Sequence, residues 1–87
     1  MINPFVDDFI KQGVFKTPAI IQAFKKIDRA DFVHPELKER AYINEPLPIG
    51  EGQTISQPYT GAFMVELLRP EAGNKIFEIG SGSGWQT

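Results

Sequence analysis

The sequence contains no cysteine and a single histidine. The first absence excludes a disulfide framework and any thiolate metal centre, and one imidazole, His34, cannot build a metal site unaided. Charge of one sign is scarce as well: the formal net charge is −2 at pH 7, and the densest cationic spot is the pair Lys25-Lys26. Nonspecific nucleic-acid binding draws on clustered phosphate contacts, so nucleic acid is not an expected partner. Long hydrophobic runs are missing too. None approaches the ~20 residues of a membrane span, and Met1 to Asp8 carries acids where a secretory leader carries positive charge. The expectation is a cytoplasmic protein with no membrane partner. Repeats and low-complexity segments are absent. What is present, 87 residues of 41% apolar and 23% charged composition, is ordinary globular sequence. A chain of this length buries only about 60% of its unfolded surface, so one marginal domain is the ceiling. A monomer is the expected state.

Asn3-Pro4 has the chemistry of a helix start, because asparagine can cap orphan amides and proline's fixed φ suits the first helical position. Phe5, Val6, Phe9 and Ile10 then recur at helical spacing, and Gly13 is the expected stop. Thr17-Pro18 repeats the start signal before an amphipathic stretch with Ile20, Ile21, Phe24 and Ile27 on one face. Phe32-Val33 is expected to seal its end, and a third short helix to run from Pro35 to Arg40. Pro46, Pro48, Gly50 and Gly52 make residues 42–53 a shaped loop or small hairpin. Ser56-Gln57-Pro58 opens a further helix through Arg69 whose Ala62, Phe63, Met64, Val65, Leu67 and Leu68 predict burial on most sides. After Pro70 and the turn at Gly73-Asn74, Lys75 to Ile79 reads as a short strand.

That strand runs directly into Gly80-Ser81-Gly82-Ser83-Gly84, the arrangement by which α/β nucleotide-binding domains bring bare backbone against a ligand. A dinucleotide fingerprint wants its third glycine at position 85, where this sequence has Trp85, and a phosphate-cradling loop wants Lys then Ser or Thr after its last glycine, where Trp85 and Gln86 stand. What remains is a glycine loop with an acid, Glu78, two residues before it. Such a loop suits a ligand with ammonium and sulfonium groups, such as S-adenosylmethionine. A flexible spacer has the same five-residue composition; the strand before and Trp85-Gln86-Thr87 after favour the cofactor loop. Ser56 sits where a helix N-cap belongs, which alone accounts for it; a hydroxyl there could also hold a carboxylate beside the loop. Both readings are compatible. A serine nucleophile lacks support, since His34 has no evident acidic partner and no G-x-S-x-G elbow occurs.

Leu47-Pro48-Ile49-Gly50-Glu51-Gly52-Gln53-Thr54-Ile55-Ser56-Gln57-Pro58, then Met64, Glu66-Leu67-Leu68 and Phe77-Glu78-Ile79 with the glycine loop, resemble the protein-L-isoaspartate O-methyltransferase family in order and nearly throughout the chain. Upstream Arg29, Phe32-Val33 and Ala41-Tyr42 fit the same pattern. The resemblance implies an α/β fold: N-terminal helices followed by the first strand and glycine loop of a Rossmann-like class I S-adenosylmethionine-dependent methyltransferase, the 87 residues themselves being mostly helical. It divides the chain into a helical region and substrate-side loop at 1–52 and the start of the catalytic domain at 53–87. It nominates Ser56 as the active-site serine, with Thr54 and Ile55 beside it and Glu78, Gly80, Ser81, Gly82, Ser83 and Gly84 at the cofactor. Glu78 would set the loop's electrostatics or serve as a strand-end structural residue. Trp85 stands where many members carry tyrosine.

The activity so implied is methylation of L-isoaspartyl α-carboxylates in damaged proteins or peptides, with S-adenosylmethionine as donor and no metal. The family's ribose-gripping acid, adenine pocket and C-terminal substrate residues lie outside these 87 residues, so the isolated chain is expected to be inactive. Two alternatives stand beside this reading: a methyltransferase for another acceptor, and a noncatalytic helical interaction module.

Overall fold

A computed structural model describes residues 3–87. Its elements in chain order are α1 (Phe5–Lys11), α2 (Pro18–Lys26), two 3₁₀ helices (Arg29–Phe32 and Pro35–Arg40), a hairpin of β1 (Leu47–Gly50) and β2 (Gln53–Ile55), and α3 (Pro58–Leu68). Of the four expected proline starts, Pro18, Pro35 and Pro58 each occupy a first helical turn, where a missing N–H costs nothing, and Pro4 stands one place earlier, at the cap position. The third predicted helix forms as the second 3₁₀ segment, Pro35–Arg40.

Capping departs from the local reading. Asn3 does not cap α1; Pro4 stands at that position without a side-chain cap. The Asn3 side chain reaches across to α2, where Nδ2 donates to the carbonyls of Phe24 and Ile27 at 2.6 Å each. It thereby closes the end of α2, whose last carbonyls have no helical partner. Ser56 is not the cap of α3 either. That position is Gln57, again without a side-chain cap, and the first-turn amide of Tyr59 donates to Asn44 Oδ1 at 2.9 Å.

The hairpin expected within residues 42–53 forms, but it runs from Leu47 to Ile55, two residues beyond that boundary. Antiparallel pairing sets Leu47 opposite Ile55 and Pro48 opposite Thr54, with an irregularity between Pro48 and Gly50. Glu51 and Gly52 turn the chain with φ of 56° and 69°, the doubly left-handed geometry that matches strand twist in a two-residue hairpin. Pro48 is tolerated because this two-stranded sheet is all edge.

The core is aromatic. Phe9, Phe15, Phe24 and Trp85 form a chain of ring contacts at centroid separations of 5.9, 4.9 and 5.5 Å, joined by Val6, Ile20, Leu47, Ile55 and Ala62. Ring pairs of this kind contribute about 0.5–1.5 kcal/mol each beyond the area they bury.

Two expectations are corrected at the C-terminal end. α3 is not mostly buried: Pro58, Gly61 and Ala62 face the core, whereas Phe63, Met64, Leu67 and Leu68 are exposed. The segment 75–79 carries no strand pairing, and Ile76, Phe77 and Ile79 stand in solvent. The reason is the same in both cases. Apolar side chains are buried and strands are formed by neighbours, and among the described residues no element lies against either surface.

Candidate functional site at the hairpin end and glycine loop

The two segments singled out in the sequence meet through the core. β2 ends at Ile55, which is buried, and delivers exposed Ser56 just before α3. Thr54 is exposed on β2 opposite Pro48. The loop 80–84 turns with φ of 70°, 56° and 85° at Gly80, Gly82 and Gly84, values a side chain would strain. Ile49 of β1 packs toward this loop, its Cδ1 lying 3.5 Å from where a Cβ on Gly82 would stand. Internal bonds shape the turn: Gly84 N donates to Ser81 O at 2.9 Å, Trp85 N to Ser83 Oγ at 3.2 Å, and Thr87 Oγ1 to Glu78 Oε1. Residues 78–82 remain exposed. A groove of about 300 Å³ borders the loop, lined by residues Asp31 to Pro35 on one side and Ile49, Gly82 and Ser83 on the other. The larger hollow, about 720 Å³ between the α1–α2 link and α3, contains none of the predicted site residues and reflects the uncovered face of α3.

Two residues not nominated for the site hold it together. Trp85 is buried between Phe24, Phe5 and α3, where an added Cβ on Gly61 would come within 2.9 Å of its ring. The glycine at 61 is what lets the indole approach the helix backbone. Arg29 is fully buried. Its Nη1 donates to the Ser56 carbonyl at 2.8 Å and its Nη2 to the Glu45 carbonyl at 3.2 Å, while its guanidinium carbon lies 4.7 Å from the Trp85 ring centroid. Burial lowers the Arg29 pKa to about 10, so it stays protonated at neutral pH. An arginine after an amphipathic helix reads as surface, and nothing in the periodicity signals otherwise; a small residue at 61 in a helix of large ones, with one tryptophan in the chain, was the available hint.

The model of the protein-L-isoaspartate(D-aspartate) O-methyltransferase family matches residues 2–87. The chain belongs to this family. Among its relatives, the protein-L-isoaspartate O-methyltransferase of Myxococcus xanthus is 45% identical over 80 residues, 92% of this chain and 38% of the relative. That of Anaeromyxobacter dehalogenans strain 2CP-1 is 53% identical over 68 residues, 78% of this chain and 32% of the relative. A Plasmodium falciparum protein-L-isoaspartate O-methyltransferase, crystallised with S-adenosyl-L-homocysteine, superposes with a TM-score of 0.83 at 26% identity, over 98% of this chain and 38% of that one. The chain thus spans 32 to 38% of the curated relatives named here. The expected fold class holds: the 87 residues are a mostly helical portion of a class I methyltransferase fold with a small sheet. No helix among the described residues is long and apolar enough to cross a membrane.

Proposed function

We propose that the full-length protein methylates the α-carboxylate of L-isoaspartyl residues in damaged proteins and peptides, with S-adenosylmethionine as donor. The observation that carries this reading is the meeting of the Ser56 segment with the glycine loop around one buried pair, Arg29 and Trp85, in a chain covered by the family from residue 2 onward.

The loop fits the cofactor. Its backbone is exposed, its glycines adopt left-handed φ, and a Cβ at Gly80 or Gly84 would meet nothing within 4 Å, so main chain is available to a ligand without side-chain obstruction. Gly80, Ser81, Gly82, Ser83 and Gly84 would hold the methionine portion, with the exposed Glu78 carboxylate nearby for an ammonium group and Thr54 and Ile55 lining the cleft. When bound, S-adenosylmethionine supplies an electrophilic methyl group on a sulfonium centre.

The remaining work falls to this chain's residues. An isoaspartyl carboxylate has an ordinary pKa of about 4 and is ionised at neutral pH, so no strong general base is required. Ser56 orients it: the residue precedes the N-terminus of α3, whose dipole favours an anion, and its backbone is fixed by Arg29. Rate then comes from holding one oxygen in line with the methyl group. The protein acts as a cytoplasmic monomer that engages neither membrane nor nucleic acid.

Labelled methyl transfer by the full-length protein to a synthetic isoaspartyl peptide and to its aspartyl twin tests this. Incorporation into the isoaspartyl peptide alone is expected. Incorporation into neither, by a folded protein that binds the cofactor, would assign the fold to another acceptor.

A further inference from the structure

Arg29 is an unusual thing for a core to contain. It is fully buried, and among the described residues its charge has no carboxylate within ion-pair distance. Its Nε is buried with no hydrogen-bond partner there. Two backbone carbonyls and an indole face are what it has instead. Burying a cation on such terms is costly, and apolar side chains of similar volume commonly fill such space at no loss of stability. The cost calls for a role other than stability.

The geometry supplies one. A guanidinium donates in its plane and stacks through its face. In Arg29 the plane is bonded to Ser56 O at 2.8 Å and Glu45 O at 3.2 Å. The face lies against Trp85, 4.7 Å from the ring centroid, and Trp85 directly follows Gly84, the last residue of the glycine loop. The indole cannot drift from this contact. Gly61 backs it so closely that a methyl group would stand 2.9 Å from the ring, and Phe24 meets it edge-on at 5.5 Å. Arg29's own backbone is fixed as well, its amide donating to Asn3 Oδ1 at 3.2 Å, while the same asparagine holds the end of α2.

We propose that Arg29 is a positioning residue for methyl transfer: its edge fixes the Ser56 backbone, its face fixes the root of the glycine loop through Trp85, and the spacing between acceptor and donor sites is thereby set. This rests on the function proposed above. A lysine at 29 retains the charge but has neither a planar fork nor a flat face, so both registrations are lost. A shift of the order of 1 Å between reacting groups is enough to slow turnover about a hundredfold without weakening binding in proportion.

The test uses the full-length protein, with kcat and KM for an isoaspartyl peptide and the thermal midpoint measured for Arg29→Lys, Gly61→Ala and the pair combined. Gly61→Ala displaces the indole while leaving Arg29 untouched. The expected signature is a kcat lowered about 10- to 100-fold in each single variant, with KM for peptide and cofactor within about threefold of wild type. The double variant is expected to be no slower than the slower single one, since both act through the same indole. Unchanged kcat in the folded fraction of either variant, or losses that multiply, would overturn the positioning role. Should Arg29→Lys fail to fold, the kcat and KM of Gly61→Ala decide the matter alone. A wild-type protein that methylates no isoaspartyl peptide overturns the proposed function itself, whereas an active wild type with unaltered variants overturns only the part assigned to Arg29.

Discussion

Tyr42 donates its hydroxyl proton to Asp28 Oδ1 over 2.7 Å, and the same oxygen accepts from the amide of Ala30 at 3.0 Å to cap the first 3₁₀ helix. The hydrogen bond to Asp28, then burial and the negative charges of Asp28 and Asp31, push the Tyr42 pKa up to about 12. A group whose folded pKa is raised stabilises the fold fully below its unfolded value, here about 10, and loses that contribution as pH climbs through the folded one. Stability is therefore expected to fall between about pH 10 and 12 in part through Tyr42. Chemical denaturation across that range, repeated on Tyr42→Phe, checks this. The variant should be less stable at neutral pH by about 1 kcal/mol, the net worth of one hydrogen bond, and should lose less on going alkaline.

Between elements, the strongest polar tie joins α3 to the start of α2. Glu66 accepts from the amides of Lys16 and Thr17 at 2.8 and 2.9 Å and from the Thr17 hydroxyl at 2.9 Å. A carboxylate from another helix thus holds the two residues that lead into α2, the N-cap Thr17 among them, while the N-cap side chain itself makes no capping bond. Burial pushes the Glu66 carboxyl up, but the Thr17 and Lys16 amides, the Thr17 hydroxyl and the Lys16 charge outweigh it and hold the group below the usual carboxylate range. Its contribution is then present above the unfolded pKa of about 4.3 and lost as pH falls through the lower folded value. Glu66→Gln is expected to cost about 1 kcal/mol at neutral pH and to flatten the acid limb of the stability curve; equal acid sensitivity in both proteins would refute the assignment.

Across the molecule as a whole, a closed core coexists with large apolar side chains left in solvent. The side built from α1, α2, the hairpin and Trp85 is closed around its aromatic core. Outside it, Met64, Leu67 and Leu68 of α3 and, in the following segment, Phe77 and Ile79 are more than half exposed, an amount of large apolar side chain in solvent that favours association. The chain covers 38% of the Plasmodium structure it superposes on. We therefore predict that the 87 residues in isolation bind S-adenosylmethionine weakly or not at all and self-associate. Calorimetric titration with sedimentation checks both; a low-micromolar dissociation constant for the isolated residues, or a clean monomer, would contradict it.

What could be read from the amino acids alone was whatever acts within a few residues along the chain. Pro18 and Pro58 start helices because φ is fixed by a ring, residues 50–52 turn a hairpin because glycine tolerates left-handed backbone, and the ordered motifs around Ser56 and Gly80–Gly84 disclosed the family. The remaining determinants act between residues far apart in sequence. Asn3 was legible as a cap but not as the cap of a helix end 21 to 24 residues away; Asn44 serves α3 from 15 residues upstream and Glu66 serves α2 from 49 residues downstream. Arg29 was legible as part of the family pattern but not as a buried cation, because the two carbonyls and the indole that surround it come from segments 16 to 56 residues further along the chain. The exposed face of α3 and the unpaired segment 75–79 show the same division: side-chain chemistry sets what a segment could bury or pair with, and only the arrangement of its neighbours in space decides whether it does.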